Sequence, residues 1–260
     1  MKIQDCETFL LTIGYGRSGS SMLGNIINNH PMCLMSNEFR FMNKYYNDNT
    51  QESKLLKQLI NVSFQEFENQ SNKLLNNKNQ IDYLPNNFKS EKKHIKVYGD
   101  KKSGGNTTIF INDHKFTSKI MELNNVKIII NMRNPYNIMN SIRQSRYYNR
   151  FSAYIKCDEK SSNVEIFRDI LYYQNYCLNF YKKYKQRCIL VYYDDLIYES
   201  EKSINDLFNF LNVNMIESLI LLVNTKKKED LTMPKNYVNI LKSFIEKDNL
   251  YFFKRYINII

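Results

Sequence analysis

Residues 14–21 read Gly-Tyr-Gly-Arg-Ser-Gly-Ser-Ser. Gly14 and Gly19 have the separation of the two glycines in a phosphate-binding loop, and Ser21 fills its hydroxyl position. The lysine position holds Ser20 instead, and the cation inside the loop is Arg17. Backbone N–H groups in such a loop, with a helix starting near Ser20, present partial positive charge to a phosphate. Arg17 adds a planar bidentate partner for an oxyanion, and Ser18, Ser20 and Ser21 add hydroxyl donors. A plain glycine turn between strand and helix has the same local composition, so the loop alone decides nothing.

Three further stretches carry groups of the right kind. In Met132–Ser141, "MRNPYNIMNS", Arg133 leaves the end of a strand, Pro135 turns the chain, and Ser141 follows eight residues after Arg133 on a helix. A guanidinium and a hydroxyl so placed could hold a second phosphate. "NEFR" (Asn37–Arg40) brings Glu38 and Arg40 together, and "GDKK" (Gly99–Lys102) ends on two consecutive lysines. The chain has His30, His94 and His114: the first ends a helix before Pro31, the second starts a strand, and the third lies in a polar helical stretch. None of them sits where a histidine base shortly after Lys101 would have to be.

Together these stretches resemble the sulfotransferases that use 3′-phosphoadenosine 5′-phosphosulfate (PAPS) as donor and release 3′-phosphoadenosine 5′-phosphate (PAP). "RSGSS" followed by His30-Pro31 looks most like the branch with carbohydrate and protein-tyrosine sulfotransferases. "YYDDL" (Tyr192–Leu196) and the later "FNFLNV" (Phe208–Val213) are similar to two further segments of that family, and the likeness runs from about Thr8 to Val213. The resemblance implies that Arg17 and the loop Ser18, Gly19, Ser20 and Ser21 bind the 5′ end of the donor. It implies Arg133 and Ser141 for the 3′-phosphate, with Tyr193 near the adenine. Glu38, 21 residues after Arg17, matches the acceptor-activating base of the tyrosine branch, and Arg40 its orienter or a substrate contact. Lys101 matches the lysine that stabilises charge on the sulfuryl group. The family often continues with Thr/Ser-Pro where this chain has Ser103-Gly104-Gly105, which leaves Lys101 and Lys102 both open as the inward-pointing lysine.

The same resemblance accounts for the missing loop lysine. A triphosphate demands lysine and Mg²⁺, whereas a sulfuryl group in transfer carries less charge, so no metal is expected here. Asp194 and Asp195, at the end of an apolar strand, would be Mg²⁺ carboxylates in a kinase or NTPase; without the loop lysine they read as structural acids hydrogen-bonded to backbone.

The elements that must position these residues alternate in kind, the pattern of a parallel α/β sheet flanked by helices. Strands are expected at Phe9–Ile13, His94–Lys101, Val126–Arg133 and Cys188–Tyr193. Helices are expected after the loop (Met22, Leu23, Ile26 and Ile27 on one face), over much of 50–82, at Phe116–Asn125, from Pro135, from a Ser162/Glu165 capping box to about Tyr184, at Ser200–Leu211 and at Lys235–Tyr256. In such a sheet ligands bind at the carboxyl ends of the strands, where the singled-out residues fall. The expectation is one α/β domain over residues 1–260 with a P-loop-like nucleotide-binding fold, and acceptor-facing insertions at 41–95 and 147–165.

Composition fits this reading. The 260 residues are 43% hydrophobic and 24% charged, with a net charge of +11 that favours anionic partners. The longest basic run is Lys226–Lys228, which gives a nucleic-acid-binding stripe little support. Five dispersed cysteines and no leader-like or membrane-spanning run suggest a cytoplasmic protein with reduced thiols. The expected acceptor is a hydroxyl-bearing glycan, small molecule or peptide. The rivals are a Mg²⁺-dependent kinase or NTPase and a non-catalytic binding protein for nucleic acid or acidic glycan.

Overall fold

The computed structural model describes residues 2–47, 51–76, 94–145, 157–220, 223 and 231–257. Lys226–Lys228 and parts of both expected insertions lie outside the described residues. One five-stranded, all-parallel sheet organises the chain: β1 (Thr8–Gly14), β2 (Cys33–Asn37), β3 (Val97–Lys101), β4 (Val126–Met132) and β5 (Cys188–Tyr192), in the spatial order β2-β3-β1-β4-β5.

Alternation along the strands loads both faces of the sheet. Phe9, Leu11 and Ile13 of β1 join Ile128 and Ile130 of β4 in one apolar cluster, which also takes in Phe110, Phe167, Ile170 and Leu178. Those four come from α4 (Ser103–Asn112) and α7 (Asn163–Lys183). Leu10 and Ile129 face the opposite way, into a second cluster with Leu23, Ile26 and Ile27 of α1 (Ser20–Asn28) and Leu207 and Phe208 of α9 (Ser200–Leu211). A parallel strand buried on both sides reads as a continuous apolar run, and β1 is buried at all seven positions.

The remaining helices are α2 (Phe41–Asn47), α3 (Glu52–Asn76), α5 (His114–Glu122), α6 (Pro135–Ser145), α8 (Tyr193–Tyr198), α10 (Lys235–Phe244) and α11 (Lys254–Ile257). Local rules set several of their ends. Asp113 caps α5 by accepting from Phe116 N–H at 2.8 Å, and the Ser162/Glu165 box starts α7 as its spacing predicts. Asn212, with φ 60°, closes α9 in the left-handed region. His30 is a structural residue: its Nε2 lies 2.8 Å from the Asn214 carbonyl, and its Nδ1 accepts from Met32 N–H.

Four expectations need correction. β2 and α4 were not anticipated: β2 is a five-residue edge strand, and α4 begins with Ser-Gly-Gly and carries β-branched residues that weaken a helical signal. Lys235–Tyr256 is not one helix, because α10 ends at Phe244 and a 3₁₀ segment, Lys247–Phe253, leads into α11. Asp194 and Asp195 are structural acids, and the carboxylate partners seen among the described residues are side chains: Tyr256 O–H donates to Asp194 and Arg255 pairs with Asp195. Both carboxylates thereby pin the C-terminal segment to the end of β5.

Candidate active site

Because the strands are parallel and in near register, all five carboxyl ends meet at one edge of the sheet. Asn37 is level with Lys101, Gly14 with Asn131 and Met132 with Tyr192. The next residues out are Glu38, Lys102, the glycine loop, Arg133 and Tyr193. The chain reverses its order about β1, which makes this edge the place where a doubly wound sheet opens a crevice. A cleft of about 380 Å³ occupies it, lined by Arg17, Gly19, Ser20, Ser21, Arg133 and Tyr193, with Glu38 and Lys102 also in its wall. Small-molecule sites start at about 300 Å³.

The loop is fastened at both ends. Gly14 N–H donates to Thr107 Oγ1 of α4 at 2.8 Å, and that hydroxyl lies 3.0 Å from the Gly14 carbonyl. Gly19 caps α1 with φ 87°, and a β-carbon there would stand 2.2 Å from the Tyr193 ring. Left-handed geometry and the ring both require glycine. The loop and the β4 end are directly joined: Arg133 Nη1 donates to the Arg17 carbonyl at 2.6 Å, and its guanidinium lies 4.5 Å above the Tyr193 ring. Arg17 Nε in turn donates to Ser141 Oγ at 3.0 Å. The glycine loop and the Arg133–Ser141 stretch are thus neighbours, joined through Arg17.

The expected acid–base groups sit at the ends of β2 and β3. Glu38 accepts from Lys102 Nζ at 2.7 Å and Lys101 Nζ at 3.3 Å, and Lys101 also donates to Ser21 Oγ at 3.2 Å. Burial pushes the Glu38 carboxyl up, but the Lys102 hydrogen bond and the charges of both lysines outweigh it and hold the group below its ordinary value. Burial lowers the Lys101 ammonium, and Glu38 offsets only part of that. The turn carrying Glu38 hangs on Asp100, which is fully buried and accepts from Ser36 Oγ and Phe41 N–H at 2.7 Å each. Non-glycine residues with positive φ are uncommon. Among the described residues they are Arg17, Glu38, Arg40, His94 and Asn212, so three sit at this edge, where strained backbone tends to gather.

The expected site residues divide by position. Arg17, Gly19, Ser20, Ser21, Glu38, Arg133 and Tyr193 line the cleft. Lys101 is 3% exposed and reaches the cleft through Glu38 and Ser21, whereas Lys102 lines it directly. Ser141 joins through Arg17, and Arg40 is exposed at the start of α2. Ser18 is buried and does not line the cleft; its Oγ has no hydrogen-bond partner, a spare donor within the loop. Reading the sequence missed Ser103–Gly105, which line the cleft from the start of α4. Asp100 was passed over too, although the Gly-Asp-Lys spacing could have marked it.

The sequence model of the sulfotransferase family matches residues 10–217, a span that holds every one of these groups. The chain belongs to the sulfotransferase family. A search of curated proteins gives no match. Among solved structures, the chain is similar to the sulfotransferase domain from the Synechococcus PCC 7002 olefin synthase, with a TM-score of 0.51, 17% identity and coverage of 91% of this chain and 94% of that one. It is also similar to the sulfotransferase domain from the curacin biosynthetic pathway, with a TM-score of 0.54, 16% identity and coverage of 85% and 79%. At such identities the likeness shows the fold: the five-stranded parallel sheet with its loop is a sulfotransferase fold, and sulfotransfer is the family's activity.

Proposed function

We propose that this protein moves a sulfuryl group from PAPS to the hydroxyl of an acceptor, a glycan or other small hydroxylated molecule, and releases PAP. The observation that carries the reading is the direct junction between the two anion-binding ends, Arg133 Nη1 on the Arg17 carbonyl at 2.6 Å. Arg17, Lys102 and Arg133 face a single cleft whose carboxylate is Glu38, with Lys101 behind Glu38 and Ser21, a charge balance suited to a polyanionic donor. The orphaned Ser18 hydroxyl and the glycine-only approach at Gly19 fit a loop built to take an anion.

In this reading Arg17, the Ser18–Ser21 loop and the α1 N-terminus hold the 5′ end. Arg133 and Ser141 hold the 3′-phosphate, and Tyr193 covers the adenine. Glu38 takes the acceptor O–H proton as the acceptor oxygen bonds to sulfur. The bond from sulfur to the 5′-phosphate oxygen breaks, and that oxygen keeps the electron pair, with Lys101 against the charge it gains. Arg40 contacts the acceptor, and segments 41–95 and 147–165 shape its pocket.

The test is incubation with sulfur-labelled donor against panels of glycans, small alcohols and peptides, with calorimetry of PAP alongside. Label transfer without added metal and a strong PAP affinity that collapses in Arg133→Ala are expected. Transfer abolished by a chelator, or ATP bound in preference to PAP, would reverse the assignment to a kinase.

A further inference from the structure

The loop lysine is replaced by Ser20, so any ammonium for the sulfuryl end has to arrive from another strand. β3 supplies two, and they are not equivalent. Lys101 is buried and engaged by Ser21 Oγ and Glu38. Lys102 is the one that lines the cleft, and its Nζ makes the shorter contact to Glu38, 2.7 against 3.3 Å. Its path is made by the departure from the family pattern. The side chain lies across the first turn of α4, where a β-carbon on Gly105 would stand 3.0 Å from Lys102 Cγ and 3.5 Å from Cε.

A carboxylate clamped by two ammonium groups is a poor base, because stabilising the anion weakens its hold on a proton. The charged groups facing Glu38 are Lys101 and Lys102 from the end of β3 and Glu66 from α3, whose carboxylate accepts from Asn37 N–H. Of the two lysines, only Lys102 is held by Glu38 alone in the hydrogen bonds observed and also borders the ligand space.

Resting on the sulfotransferase reading, we propose that Lys102 supplies the cation missing from the loop and exchanges between two partners: Glu38 in the empty site, and the sulfuryl-bearing end of the donor once it binds. Donor loading then releases the base, so Glu38 gains proton affinity only when a sulfuryl group is present to be transferred. The transfer step keeps the balance given above, and Lys102 neither gains nor loses a proton.

The experiment follows the Glu38 carboxyl by NMR in protein labelled with ¹³C at glutamate side chains, assigned with Glu38→Gln, beside calorimetry of PAP and of PAPS without acceptor. In the unsubstituted protein, PAPS should raise the Glu38 titration midpoint and PAP, lacking the sulfuryl group, should not. In Lys102→Met the midpoint should be raised before any ligand and PAPS should not move it. That variant should bind PAP as before but PAPS about tenfold or more weakly, the loss of one charge-assisted hydrogen bond. Gly105→Ala displaces the lysine without removing its charge, at a helical position where alanine is favoured, and should shift the midpoint in the same direction. PAPS bound equally well by Lys102→Met, with the Glu38 midpoint unmoved by PAPS in the unsubstituted protein, would overturn the exchange while leaving sulfotransfer standing. Failure of the unsubstituted protein to bind PAP or PAPS would remove the sulfotransferase reading and this inference with it.

Discussion

Glu38 and Lys101 hold opposite ends of the same ion pair, and each should mark the pH dependence of the reaction. The lysines hold the Glu38 carboxyl below its ordinary value, so it is ionised throughout the neutral range. The acid limb of kcat/KM is therefore expected below about pH 4.5. Its stability contribution has the same sign: present above the unfolded carboxylate pKa and lost as pH falls through the lower folded value. That contribution is small, since the side chain is 47% exposed. Lys101 behaves in reverse. Burial lowers its ammonium, so the alkaline limb should begin below the free-lysine value of about 10.5 and disappear in Lys101→Arg; an unchanged limb in that variant would assign it to another group. Glu38→Gln should keep PAP affinity and lose roughly 10²–10⁴-fold in turnover, and undiminished turnover would remove Glu38 from the chemistry. At this scale the residue types and intervals marked Arg17, Glu38, Lys101 and Arg133. The choice between Lys101 and Lys102 was not legible, because two adjacent lysines at a strand end differ only in where the next helix sends them.

Among the elements, the glycine loop and the Glu38 turn each depend on one replaceable contact. Gly19→Ala would put a β-carbon into the Tyr193 ring at a φ that alanine resists. A loss of more than about 1 kcal/mol in stability is expected, with weaker PAP binding as the loop shifts; denaturant melts and calorimetry would read both. Asp100→Ala would strip the acceptor from the Ser36 hydroxyl and the Phe41 N–H, at about 1–3 kcal/mol for each buried donor left unpaired. Turnover should fall further than PAP affinity there, because Asp100 holds the Glu38 turn and not the glycine loop; an equal fall in both would mean general unfolding. The long apolar strands and the capped α7 were legible. β2 was not, because a short edge strand acquires its identity from β3 beside it. α4 was not either, since its glycines serve the packing of Lys102 and the loop, not helix propensity.

For the whole molecule, two apolar clusters on opposite faces of one sheet should couple the site to global stability. Cys6, Cys33, Cys157, Cys177 and Cys188 are all buried, and burial lifts the Cys6 thiol to about 11 and those of Cys157 and Cys188 to about 12. None should react with a thiol reagent at pH 8 except through unfolding. PAP at 100 times its Kd should then slow labelling about 100-fold where opening is in rapid equilibrium. Arg133→Ala should abolish that protection, and rapid labelling of the native protein would show the cysteines to be less shielded than the fold implies. No described helix is long and apolar enough to cross a membrane.

Composition, strand periodicity and four short motifs determined the α/β class, the loop and the charged groups that the structure gathers at its cleft. These are local signals: a glycine loop after an apolar strand, or a guanidinium and a hydroxyl flanking a proline, are written within a few residues. Only the tertiary structure decided that β1 lies between β3 and β4, which sets Arg133 on the Arg17 carbonyl, Arg17 on Ser141 and both lysines on Glu38. Strand order and register arise from packing both faces of the sheet at once, a contest among distant residues that no local stretch records.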